Sequence, residues 1–114
     1  MTGEINRGDL IWASLDPVQG REQAKHRPHL VLSDRRFHRA RKLVITVPLT
    51  TAEKPWPTRV RVAEGSWAVC EQPRTLSIER ITRVEHRSYD TTHVQRIVSY
   101  LMGGPVPTQE IYGS

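Results

Sequence analysis

The residues with chemical capacity crowd into one polar stretch. Glu22, Lys25, His26 and Arg27 fall within six positions, with Arg21 just ahead of them and Pro28 just behind. A carboxylate, an imidazole, an ammonium and a guanidinium in one short loop can supply a proton acceptor, a proton donor and a charged fork for an oxyanion. His26 is the group beside Arg27 that titrates near neutrality without help, whereas Glu22 and Glu71 each need an environment that raises the pKa before they can handle protons. Arg27 is too weak an acid to serve as a base, with an ordinary pKa above about 12. Its useful chemistry is to hold two oxygens of a phosphate, and its structural alternative is an ion pair with Glu22 that shapes the loop. Further candidates lie downstream: Thr50 and Thr51 at the end of an apolar run, Trp56 between two prolines, and Glu71 and Arg74 around Gln72-Pro73.

Composition narrows what such a loop could act on. Lys and Arg total 17 against 12 Asp and Glu, a formal charge of +5 with a sequence pI near 10.0. Most of the cations are Arg, and a surplus of that kind favours a polyanionic partner while leaving RNA, DNA and acidic protein all open. The single cysteine, Cys70, rules out an intrachain disulfide and a cysteine-clustered zinc site. It sits in the apolar run Trp67-Ala68-Val69-Cys70 and reads as a buried thiol. Neither a His-x-x-x-His pair nor a cluster of Asp is present, so no metal and no cofactor are expected. No apolar leader or membrane-length segment is evident, which makes the cytoplasm the expected compartment.

The elements that must position these residues are short. Leu10 to Leu15 reads as a first strand, stopped at Asp16-Pro17, and Leu30 to Ser33 as a second. Asp34 to Lys42 carries five Arg or Lys with no strand alternation, and predicts a short helical turn capped by Ser33 or Asp34 and anchored by Phe37. It could add to a phosphate-binding surface or serve as a solvated connector. Leu43 to Leu49 is nearly continuous in apolar and β-branched residues, as expected of a central strand buried on both faces. Trp56, in the loop that follows, could stack a base or cover one end of the core.

Thr58 to Val62 alternates, placing Val60 and Val62 inward and Arg59 and Arg61 outward. A turn at Ala63-Glu64-Gly65 leads to a returning strand from Ser66 to Glu71, and two more strands are expected at 74–77 and 81–84. Val94, Ile97, Val98 and Leu101 then recur at helical spacing behind Asp90 as N-cap, with Gly103 as the stop. The sum is one domain over 1–114, with its core at about 8–102 and a polar tail at 104–114. Its class is mainly β (α+β): a small, strongly curved β-barrel with a C-terminal helix against it.

Several blocks of this chain resemble the MazF/PemK-type toxins. They are Gly8-Asp9-Leu10-Ile11-Trp12, Leu15-Asp16-Pro17, Gly20-Arg21-Glu22-Gln23-Ala24, His26-Arg27-Pro28, Val47-Pro48-Leu49-Thr50-Thr51 and Glu71-Gln72-Pro73-Arg74-Thr75-Leu76. The blocks follow in the family's order over residues 8 to about 101. The resemblance implies a homodimeric SH3-like barrel acting as a metal-independent, sequence-specific endoribonuclease on single-stranded RNA. It also implies an antitoxin whose acidic, disordered segment occupies the RNA groove. By the same resemblance Arg27 and Thr50 are catalytic candidates; the chemistry of the residues themselves adds Glu22 to the catalytic set and makes Arg21, Lys25, His26, Thr51, Trp56, Glu71 and Arg74 the substrate-binding candidates.

The chain also departs from the pattern. Lys25 stands where the family often has Gly, Arg21 where some members carry His or Ser, and Ser77 where an Asp is frequent. Val69 occupies a position at which the PemK branch has a catalytic Arg, so the Arg27/Thr50 arrangement of the MazF branch is the one this sequence supports. Two other readings remain: a gyrase poison of the CcdB type, whose Trp-Gly-Ile ending is replaced here by Glu-Ile-Tyr-Gly-Ser, and a non-catalytic SH3-like RNA-binding module.

Overall fold

The computed structural model describes residues 3–14 and 27–107. The strands are β1 (Leu10–Ala13), β2 (His29–Val31), β3 (Leu43–Thr50), β4 (Arg59–Ala63), β5 (Ser66–Val69), β6 (Arg74–Ser77) and β7 (Ile81–Glu85). Helix α1 (Arg35–Arg41) joins β2 to β3, and α2 (Thr92–Leu101) follows the last strand. All strand pairings are antiparallel, in the order β4-β5-β3-β2-β1-β7, with β6 also on β3. The outer strands β4 and β7 are not joined to each other, so the seven-stranded sheet stays open where a barrel was expected. The α+β class and the C-terminal helix are as the sequence predicts.

Strand β3 is the hub. Its first half, Leu43 to Thr46, pairs with β6, its last residues Leu49 and Thr50 pair with β5, and its other edge carries β2. Successive side chains of a strand point to opposite faces, so a strand that is apolar throughout needs a core on each side. Two cores are present. Leu10, Leu30, Val47 and Leu49 pack with Val94 and Ile97 of α2 on one face, and Ile11, Val31, Val44 and Leu76 pack with Ile5 and Ile81 on the other. Ile45 departs from the expected double burial, being partly open to solvent on the α2 side. Its neighbour Thr46 is fully buried because its hydroxyl donates to the Arg74 carbonyl at 2.9 Å.

The helices refine the sequence expectations. Asp34 caps α1 by accepting from the Arg36 amide at 2.7 Å. The residue that anchors α1 is His38 rather than Phe37, which is only half-buried and meets the His38 ring edge-on. His38 Nδ1 donates to the Ile5 carbonyl at 2.8 Å, and its Nε2 accepts from the Ser33 hydroxyl at 2.6 Å. At α2 the N-cap is Thr91, while Asp90 accepts from the Thr92 amide at 2.9 Å. Gly103 ends α2 at φ +100°, and Leu101 points outward although it keeps the helical spacing of the core residues.

Gly8, at the entry to β1, has φ +93°, and a Cβ there would lie 2.6 Å from the Tyr89 carbonyl oxygen. Only glycine fits such a position without strain. The adjoining Asp9 is buried and accepts from the Asn6 amide at 2.8 Å and from His86 Nδ1 at 2.9 Å. The Gly8-Asp9 pair thus fastens the start of β1 to the segment between β7 and α2.

Candidate active site

The antiparallel register of β2 and β3 sets Leu30 opposite Val47 and His29 opposite Pro48. It therefore carries the residues preceding β2 to the C-terminal end of β3. The Leu49 amide donates to the Pro28 carbonyl at 2.9 Å, which pins the Arg27-Pro28 step beside Thr50. Proline suits this step because its fixed φ holds the chain extended while its carbonyl remains free to accept. Arg27, Pro28, Leu49, Thr50, Thr51 and Ser66 line one pocket of about 280 Å³. Arg27 and Thr50 are 23 positions apart, and the hairpin around α1 closes that gap.

The pocket's lining combines one arginine with three hydroxyl-bearing residues, Thr50, Thr51 and Ser66. Thr50 Oγ1 accepts from the Ala52 amide at 3.1 Å, which orients its own O–H for donation. The register Thr50 to Trp67 brings Ser66, the first residue of β5, to the rim. Ser66 carries no local signature in the sequence, since its place depends on that long-range register.

His29 is a second residue that sequence reasoning did not single out. It is buried, and its Nδ1 donates to the Arg27 carbonyl at 3.0 Å, which fixes the Nδ1–H tautomer. Burial is the main cause that lowers its pKa to about 4; the Arg27 hydrogen bond opposes the shift, and the positive charges of Arg74 and Arg27 add to it. The imidazole is thus neutral at pH 7 and acts as a strut under Arg27. A histidine directly after Arg27-Pro28, at the first position of a strand, was the available hint.

The remaining candidates divide. Thr51 joins Arg27 and Thr50 at the pocket. Arg74 opens β6, is exposed, and lies near enough to His29 for its charge to act on that ring. Trp56 and Glu71 do not line this pocket. Trp56 is 49% exposed, so it does not cap the core, and its ring is flanked by Lys54 at 5.7 Å and Arg59 at 5.1 Å. Glu71 is exposed beside buried Cys70, whose thiol is pushed up to about 12 by burial and by the Glu71 charge. Glu22, Arg21, Lys25 and His26 lie outside the described residues. Among the described residues, no group of three or more His, Cys, Asp or Glu could hold a metal ion, and no helix is long and apolar enough to cross a membrane.

The chain is thus an open antiparallel sheet with a helix after its last strand, bearing a pocket lined by Arg27 and Thr50 where two strands meet. Residues 6–102 match the family of PemK-like, MazF-like toxins of type II toxin-antitoxin systems, and the chain belongs to that family. It is 45% identical over 53 residues to the endoribonuclease toxin MazF of Escherichia coli strain K12, covering 46% of this chain and 48% of that one. It is 30% identical over 84 residues to the endoribonuclease PemK of Escherichia coli, covering 67% of this chain and 63% of that one. The match thus spans about half the length of the MazF relative and somewhat under two thirds of PemK. Among solved structures, a MazE-MazF crystal structure from Deinococcus radiodurans superposes with a TM-score of 0.73 at 21% identity, over 89% of this chain and 98% of that one. At that identity the superposition establishes the shared fold.

Proposed function

We propose that this chain is the toxin of a type II toxin–antitoxin pair and cleaves single-stranded RNA by attack of a ribose 2′-hydroxyl on the adjacent phosphate. The observation that carries the reading is the shared pocket of Arg27 and Thr50, two residues brought together by the β2–β3 register. In the reaction the 2′-hydroxyl gives its proton to a base as its oxygen bonds to phosphorus, the bond from phosphorus to the 5′-oxygen breaks, and that oxygen takes up a proton, leaving a 2′,3′-cyclic phosphate upstream and a 5′-hydroxyl downstream. Charge builds on the non-bridging oxygens of the phosphorane, where a guanidinium fork and a hydroxyl donor stabilise it more than they stabilise the substrate. Arg27 takes that role, with its main chain held by His29 and Pro28. Thr50 donates the second hydrogen bond. Glu22 is the proposed proton handler, and the step proceeds without a metal or other cofactor.

The same reading gives Arg21, Lys25, His26 and Thr51 to the substrate groove. Arg74 faces the strand's phosphates, Trp56 stacks a base, and Glu71 contacts a base edge. The family implies an antitoxin partner with an acidic segment that competes for this basic groove, and a cytoplasmic setting. A homodimer is supported by an apolar groove of about 570 Å³ lined in part by Leu32, Ile45, Val98 and Met102, which has Met102 79% exposed.

Arg27→Ala tests the assignment. Loss of one such charge-stabilising donor is expected to lower kcat by about 10²–10³, with the circular dichroism spectrum and dimer unchanged. Full cleavage by a clean preparation of that variant refutes the site. Cleavage is also expected to persist in EDTA, and strict dependence on Mg²⁺ refutes the mechanism.

A further inference from the structure

The sheet end opposite the proposed active site carries the densest positive charge among the described residues. Five Arg or Lys lie between Arg35 and Lys42, all exposed. Helical spacing puts Arg35, Arg39 and Lys42 on one face, and that face lines a pocket of about 320 Å³ together with Glu4, Ile5 and His38. Glu4 holds the carboxylate of this pocket, 3.6 Å from Arg35 and 2.6 Å from Arg39. Among the described residues, neither Lys42 nor Arg41 is ion-paired to a carboxylate. The cations sit on a fixed frame, because the two hydrogen bonds of buried His38 lock α1 to Ile5 and Ser33. Lys42 itself adopts φ +56°, which turns the chain sharply from α1 into β3.

We infer that the Arg35–Arg39–Lys42 face of α1 is a second binding site, for backbone phosphates of the single-stranded RNA whose scissile phosphate lies at Arg27. This inference rests on the RNA-cleaving function proposed above. Both sites belong to the β2–β3 pair, one at each end, and the seven residue steps from Leu43 to Thr50 separate them by about 24 Å. An RNA strand leaving the Arg27 pocket carries one negative charge with every nucleotide, whatever its sequence. A cationic pocket farther along the same two strands meets that charge without reading bases. Three cations against one carboxylate leave the pocket positive even with Glu4 in place. Arginine forks suit the two free oxygens of a phosphodiester. An acidic peptide is the weaker candidate, since its charges must fall in register with the pocket by sequence alone.

The test uses the full chain and 2′-O-methyl oligonucleotides, which lack the attacking hydroxyl and so bind without being cut. A strand of about 16 nucleotides spans both sites, and one of about 2 is too short to bridge the roughly 24 Å between them. Arg35→Gln/Arg39→Gln/Lys42→Asn is expected to weaken the long strand roughly tenfold or more. It should lower the slope of log K against log salt by about 2, from three lost phosphate contacts, and change binding of the short strand less than about twofold. Lys42→Asn alone keeps both Glu4 pairs and guards against unfolding of the triple variant; its slope should fall by about 0.7.

An unchanged slope on the long strand overturns the inference, as does equal weakening of both strands, which signals a general charge effect. Loss of binding to a poly-glutamate peptide without loss on the long strand assigns the face to an acidic protein instead. If the wild-type chain binds the long strand with this slope yet never cuts natural RNA, the α1 site stands and the proposed catalytic function falls. If it binds neither strand, both fall.

Discussion

Replacing His29 with Gln isolates a buried group beneath the proposed catalytic arginine. The imidazole donates to the Arg27 carbonyl and has its pKa lowered from 6.5 to about 4, chiefly by burial. An unfolded chain returns it to 6.5, so below that pH the unfolded state binds a proton that the folded state refuses. The folded state is therefore unaffected above pH 6.5, loses stability as pH falls from 6.5 towards 4, and loses no more from this group below that. The gap of about 2.5 pKa units corresponds to a full penalty of about 3 kcal/mol, of which about 2–3 kcal/mol has developed by pH 4.5. Carboxylates also titrate in this range, so the informative quantity is the difference between wild type and His29→Gln.

Urea unfolding at pH 8 and at pH 4.5 supplies it. Gln can also donate to the Arg27 carbonyl, and it does not titrate. The wild type is expected to lose about 2–3 kcal/mol more than the variant between the two pH values. Parallel pH profiles would show that His29 titrates normally in the folded state, and the argument for a neutral strut would fail.

Other expectations follow from single contacts. Thr50→Val removes the hydroxyl with little change of shape, and should lower RNA cleavage about tenfold, the effect of one lost hydrogen bond, while urea unfolding shifts by about 1 kcal/mol or less; cleavage at the wild-type rate excludes Thr50 from the reaction. Gly8→Ala places a methyl group 2.6 Å from the Tyr89 carbonyl oxygen at φ +93°, and thermal unfolding should report a loss of about 2–4 kcal/mol. A loss below about 0.5 kcal/mol would mean that the β1 entry yields. Cys70 is buried, with its thiol pushed up to about 12, so the folded protein at pH 8 should resist a thiol reagent that labels it rapidly in urea. Rapid labelling without denaturant contradicts its burial.

The parts of the fold that were legible in the sequence are those set by local pattern. The run Leu43 to Leu49 needed apolar surroundings on both faces, and the two cores astride β3 supply them. Alternation through Val60 and helical spacing through Val94 and Ile97 identified β4 and α2 for the same reason. What stayed hidden depends on partners distant in sequence. His38 looks like one more polar residue of a basic segment, yet it is buried because the Ile5 carbonyl, 33 positions away, accepts its proton. Leu101 keeps the helical period but sits at the last position of α2 and is exposed. The openness of the sheet is likewise a matter of which outer strands meet, and no local signal encodes that.

The site divides along the same line. Arg27, Thr50 and Thr51 were nameable from their motifs, and the β2–β3 register unites them in one pocket. Ser66 arrives there only through the pairing of β5 with β3, and His29 reveals its connection only once the Arg27 carbonyl is seen beside it. Trp56, which the sequence left between a base platform and a core lid, lies exposed between two cations.

The most direct measurement is incubation of the full chain, in EDTA, with a long single-stranded RNA, followed by end analysis of whatever forms. Discrete fragments that carry 5′-hydroxyl ends are expected, appearing about 10²–10³-fold more slowly with Arg27→Ala. Retention of intact RNA, or inhibition of gyrase with the RNA untouched, would contradict the proposed function.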